Sequence, residues 1–132
     1  MKKLFCLFFA LLLPAFFSCK LIDDGKGTLV VRNEVGDANI VISEVYVKVK
    51  GSSGYNRVFT GSIKNDRSHF IELEPDYYSV MITATTTAPG TLISTSKEYE
   101  TGFNDYREIK KDKFLTVIFD VDSDGTKGIY FD

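Results

Sequence analysis

The sequence predicts an all-β fold, a single antiparallel β-sandwich of about seven to eight strands over residues 28–132. Apolar residues return at every second position in run after run, which is the period of a half-buried strand. β-branched and aromatic residues fill those runs, as a pleated surface prefers. Turn residues separate the runs every dozen or so positions, the spacing of a sandwich.

Each run has its own reading. From Thr28, Leu29 and Val31 alternate with Val30 and Arg32. Val41 to Lys50 places Val45, Val47 and Val49 on one face and Glu44, Tyr46, Lys48 and Lys50 on the other. Arg57 to Ile63 is a weaker run. His69, Ile71 and Leu73 oppose Phe70, Glu72 and Glu74. Tyr78, Val80, Ile82 and Ala84 oppose Tyr77, Ser79, Met81 and Thr83. Leu92 to Tyr99 is rich in Ser and Thr and reads as a sheet edge. Leu115, Val117, Phe119 and Val121 oppose Phe114, Thr116, Ile118 and Asp120, and Lys127 to Phe131 closes the sheet. Val80, Ile82, Val117 and Phe119, on the two most strongly alternating runs, are the expected core. One helical turn is expected over Asp105 to Lys111.

Turn chemistry marks the joints. Gly36-Asp37, Gly51 to Gly54, Asn65-Asp66, Pro75-Asp76, Ala88-Pro89-Gly90, Gly102 and Asp124-Gly125 supply the residues that tight turns require. There is no repeat and no sign of a second domain.

Before this body lies a segment of different character. Lys2 and Lys3 precede an uncharged run from Leu4 to Phe17. A basic start followed by about 7–15 apolar residues is the pattern of a secretory signal peptide. Crossing a bilayer takes roughly 20, and this run is shorter and broken by Pro14. The run ends Phe16-Phe17-Ser18-Cys19-Lys20, with a small residue directly before a Cys. This resembles the lipobox of bacterial lipoproteins, in its relaxed form because Phe16 and Phe17 stand where a Leu and a small residue are usual. The resemblance implies removal of residues 1–18 and acylation of Cys19. It also implies partnership with membrane lipid and a place in the bacterial cell envelope. Residues 19–27 then read as the lipidated Cys and a short tether, and 28–132 as the sandwich.

A second resemblance lies in the body. Gly61-Ser62-Ile63, and Phe70-Ile71-Glu72-Leu73-Glu74-Pro75-Asp76-Tyr77-Tyr78-Ser79-Val80, are similar to the middle of transthyretin-like and carboxypeptidase-regulatory-like sandwiches. There an apolar strand ends at a Pro-Gly turn and a Tyr starts the next strand. Asp76 replaces the Gly here, and Tyr77 or Tyr78 is the matching aromatic. Immunoglobulin-like domains use a similar corner Tyr. The resemblance implies a binding or spacer module.

Charge narrows the function. The chain carries 16 basic and 18 acidic residues. Without Lys2 and Lys3 the balance is 14 to 18, a net charge of −4. A nucleic-acid binder needs a basic face for phosphates, so no nucleic-acid partner is expected. With one His and no Trp, multi-His metal sites are excluded.

Few residues carry candidate chemistry. His69 is in register with Ile71 and Leu73 and reads as a half-buried strand residue. Glu72 and Glu74 stand about 7 Å apart on one strand face, within the range of glycosidase carboxylates, but acids on a solvent face are ordinary. No catalytic residue is assigned and no enzyme is expected. Asp120-Val121-Asp122-Ser123-Asp124-Gly125 matches the first half of a calcium loop. Position 12 of such a loop is Phe131 instead of Glu. Two readings stay open: a hairpin turned by Asp124-Gly125, or a weak calcium site on Asp120, Asp122 and Asp124. Tyr99, Phe103 and Tyr106 stand among polar residues, the pattern of a surface that stacks on a glycan or anchors an envelope protein. The expected function is a non-catalytic, membrane-anchored binding or assembly module. A carbohydrate- or calcium-dependent adhesion module is the alternative, with a carboxylate-based hydrolase behind both.

Overall fold

Nine strands follow one another in the computed structural model, which describes residues 25–132. The expected signal segment 1–18 and the lipid-bearing Cys19 lie outside the described residues. The strands are β1 (Gly27–Asn33), β2 (Ile40–Val49), β3 (Asn56–Ile63), β4 (Arg67–Leu73), β5 (Asp76–Thr87), β6 (Ser94–Glu100), β7 (Arg107–Ile109), β8 (Phe114–Val121) and β9 (Lys127–Phe131). The fold is all-β, in two sheets, with no helix among the described residues.

One sheet has the order β4-β1-β8-β9, the other β3-β2-β5-β6, with the short β7 also paired to β5. Pairing is antiparallel except between β1 and β8, which run parallel from Thr28↔Phe114 to Asn33↔Phe119. A parallel pair needs a long crossover, and residues 34–113, which contain the whole second sheet, supply it. The expected helical turn over Asp105 to Lys111 is instead strand β7, antiparallel to Asp76, Tyr77 and Tyr78. Arg107, Glu108 and Ile109 are too few to show a period, so the pairing partner decides their conformation.

The alternation reads directly onto the core. Leu29, Val31, Ile71, Val117, Phe119 and Ile129 point inward from the first sheet. Ile42, Val45, Val47, Ile63, Val80, Ile82, Ala84 and Ile109 meet them from the second. Val80, Ile82, Val117 and Phe119 are all buried, as expected. Gly27, expected at the end of the tether, is instead the first residue of β1. A Cβ there would collide with the Lys110 carbonyl and the Ile109 side chain, so the close approach of β1 to the chain beyond β7 requires glycine.

Two polar devices join the sheets. Asn33 is fully buried at the end of β1. Its Nδ2 donates to the carbonyls of Ile40 (3.1 Å) and Ile63 (3.0 Å), and its Oδ1 accepts from Val35 N (3.2 Å). One side chain thus fastens β1 to the start of β2 and the end of β3. At the Pro75 corner, where the chain passes from β4 to β5, the Tyr78 hydroxyl donates to the Glu74 carbonyl at 2.7 Å. Tyr78, not the exposed Tyr77, is therefore the corner aromatic.

Candidate functional site

An interruption in one sheet edge builds the site. β6 runs along β5 as far as Glu100↔Met81. β7 resumes on the same edge at Arg107↔Tyr78. Only Ser79 and Val80 of β5 lie between, yet Thr101 to Tyr106 must be accommodated opposite them, so the chain loops out.

Thr101 mends the ladder where the loop departs. Its N–H donates to the Val80 carbonyl at 2.9 Å. Its Oγ1 accepts from Val80 N at 3.2 Å, standing in for a backbone carbonyl. Ser79 alternates with the inward Tyr78 and Val80 and so faces outward, yet the loop and Tyr55 bury it. The Ser79 hydroxyl lies 3.0 Å from Thr101 Oγ1 and 3.1 Å from the Tyr55 hydroxyl. The loop is shaped internally by Asp105 N donating to the Gly102 carbonyl (2.8 Å) and Tyr106 N to the Asn104 carbonyl (3.1 Å). Asn104 takes φ of 61°, a left-handed value that Asn tolerates.

The result is a cavity of about 210 Å³ on the outer face of the second sheet. Ser79 and Thr101 belong to its floor, and Lys48, Tyr55, Glu100, Asn104, Phe103 and Tyr106 surround it. The Tyr55 hydroxyl also donates to Glu100 Oε2 at 3.3 Å, and Lys48 Nζ stands 5.9 Å from the Tyr55 ring centroid. Burial first, and then the Glu100 charge, push the Tyr55 phenol above its ordinary value against the opposing bond to Ser79. Tyr55 accordingly keeps its proton and remains a donor at neutral pH. Phe103 is 96% exposed on the rim. A carboxylate, an ammonium, an amide and a phenol thus converge beside two aromatic rings.

Phe103 and Tyr106 of the expected aromatic trio share this cavity. Tyr99 does not. It pairs with Ile82 and turns inward, its ring 5.0 Å from that of Phe119. Lys48, Tyr55, Ser79, Glu100 and Thr101 were not singled out from sequence, because they come from separate segments that only strand register brings together.

The Asp-rich segment is the β8–β9 hairpin. Val121 pairs with Lys127, Asp122 N donates to the Thr126 carbonyl at 2.8 Å, and Gly125 N to the Asp122 carbonyl at 2.9 Å. Gly125 takes the left-handed φ of 85°. The Asp120 carboxylate accepts from Val121 N (2.7 Å) and that of Asp124 from Thr126 N (2.9 Å). Among the described residues no three His, Cys, Asp or Glu side chains are grouped to hold a metal ion. The expected calcium ligands Asp120, Asp122 and Asp124 are therefore not assembled. Each of the outer two turns its oxygen to a nearby backbone N–H.

His69 is exposed instead of half-buried. Its ring lies against Phe59, tilted by 44° with centroids 4.3 Å apart, joining the outer strands of the two sheets where β3 passes into β4. Glu72 and Glu74 are both exposed, and Glu74 lies beyond the end of β4. Comparison with protein-family models, curated proteins and solved structures finds no match.

Proposed function

We propose that this protein is a non-catalytic binding module, anchored in a bacterial cell envelope by acylated Cys19, and that its ligand is a single sugar ring of a glycan. The anchor is supported by the uncharged run from Leu4 to Phe17 and by Ser18-Cys19 at its exit. More than one acyl chain makes such attachment stable. The sugar reading is carried by one observation, the cavity formed by the Thr101–Tyr106 excursion. Its volume of about 210 Å³ lies below the roughly 300–1,000 Å³ of drug-sized sites, so it fits one ring. A sugar ring has an apolar face for Phe103 and Tyr106, and hydroxyls for Glu100, Lys48, Asn104 and Tyr55. Glu100 is the one carboxylate among the lining residues, whereas glycoside hydrolysis ordinarily uses a pair. The reading is therefore of binding.

A panel of monosaccharides, with free amino acids as comparators, tests this by NMR titration of the backbone amides. Shifts confined to Thr101–Tyr106 and the strand residues beneath them are expected with a sugar. Phe103→Ala and Glu100→Gln should each weaken binding about tenfold without lowering the melting temperature. Resonances that respond to no sugar would refute the ligand class.

A further inference from the structure

Both outer faces of the sandwich expose aromatic rings, those of the second sheet at the cavity rim and those of the first along its strands. On the second sheet, hydroxyls line the face: Ser43 Oγ lies 2.9 Å from Thr85 Oγ1, which lies 3.0 Å from Ser96 Oγ. The outer face of the first sheet exposes three aromatic rings, with Val30 and Ile118 buried between them and Arg32, Glu72 and Asp120 toward its ends. Register places Thr28 beside Phe114, Val30 between Phe70 and Thr116, and Ile118 between Arg32 and Tyr130. Phe70 is 62%, Phe114 71% and Tyr130 44% exposed. Exposed aromatic rings gathered on one sheet face are a candidate contact surface.

We infer that lipid covers it: the outer face of β4-β1-β8-β9 lies against the membrane that holds Cys19. This rests on the anchor proposed above. Gly27 lies eight residue steps beyond Cys19. At no more than about 3.6 Å each they reach at most about 29 Å, little beyond the length of a seven-residue strand at about 3.3 Å per residue. The tether enters the sheet at β1, an interior strand of this same face, beside Phe114. The domain is thus held within reach of the lipid by a strand of that face. Tyr130 suits the headgroup boundary, and Arg32, partly exposed and paired with Glu34, lies on the same face. Glu72 stands at the tether end of the face and Asp120 at the far end, which keeps contact at headgroup depth. In this pose the cavity beneath Phe103, on the opposite face of the sandwich, opens away from the membrane.

The chain has no Trp, so a single introduced Trp reports its own surroundings. The experiment uses full-length protein, expressed with its own leader and purified from membranes, in vesicles of phosphatidylethanolamine and phosphatidylglycerol. Phe114→Trp and Phe70→Trp should emit at shorter wavelength and be quenched by brominated acyl chains. Phe103→Trp, on the other face, should show neither. Intact mass of the same samples reports acylation of Cys19 independently. Acylated protein with unquenched Trp at both positions overturns the lipid-facing pose and leaves the anchor intact. Unacylated protein overturns both. Short-wavelength emission that brominated chains do not quench indicates a second copy on this face, and likewise overturns the inference.

Discussion

Asn33 does more for this fold than any other single polar residue. It satisfies two carbonyls and one N–H drawn from three segments, all of them buried. Removing the amide leaves those groups without partners, and a buried unsatisfied group costs about 1–3 kcal/mol. Asn33→Ala is therefore expected to lose about 2–4 kcal/mol, out of a total that for a single domain is about 5–15. Urea denaturation monitored by circular dichroism measures this, and an unchanged midpoint would mean that water takes over the amide's bonds. Asp124 is a contrasting case at the surface. The Thr126 N–H bonded to its carboxylate holds the Asp124 pKa below the ordinary carboxylate value, so the hairpin already uses the charge. Calcium at about 10 mM, above the ~0.1–1 mM dissociation constants of extracellular modules, should leave the melting temperature unchanged, with the same result for Asp122→Ala. A rise in the wild type that Asp122→Ala abolishes would show that the loop rearranges around an ion.

At the level of elements, Thr101 is the hinge between sheet edge and cavity. Thr101→Val keeps the shape and removes the hydroxyl, stranding Val80 N–H and loosening Ser79. A loss of about 1–3 kcal/mol is expected, with faster hydrogen exchange at the Val80 amide, and Thr101→Ser should restore both. Exchange at Val80 unchanged by Thr101→Val would show that the backbone pairing alone closes the edge. Alternating elements were legible in the sequence. Val45, Val47 and Val49, or Val80, Ile82 and Ala84, declare their inward side through a period of two that survives burial. Four features escaped it, for physical reasons. β7 has three residues and takes its conformation from β5. The parallel β1–β8 pairing depends on which distant strand arrives beside β1, and no local pattern encodes that. Asn33 looks like the polar end of a strand until the ends of β2 and β3 close over it. Of the cavity, the aromatic rim was visible as Phe103 and Tyr106. Its floor was not, since Ser79 reads as an ordinary outward position until the loop covers it.

The whole molecule is a packed pair of sheets, and its tyrosines record how tightly it closes. Burial is the leading cause that raises Tyr55, Tyr78 and Tyr99 above the usual phenol value of 10.0. A group whose folded value is raised contributes stability that is present below its unfolded value and lost as pH climbs through the folded one. Melting temperature should therefore fall as pH rises past about 10. Tyr99→Phe, which keeps a ring against Phe119, should make that fall shallower; an identical alkaline limb would mean that Tyr99 titrates as it does in water. The parallel pairing of β1 has a consequence of a different order, in time instead of energy. Both of its partners lie later in the chain, and β8 begins only at Phe114. As the polypeptide emerges N-terminus first, Leu29, Val30 and Val31 can pair with β4 once Leu73 has been delivered, but their other edge stays open until β8 follows some forty residues later. Non-local pairing of this kind makes for slow folding and an exposed, aggregation-prone intermediate. Chains truncated before β8 should therefore precipitate where the full domain stays in solution, a difference that sedimentation of the expressed fragments measures.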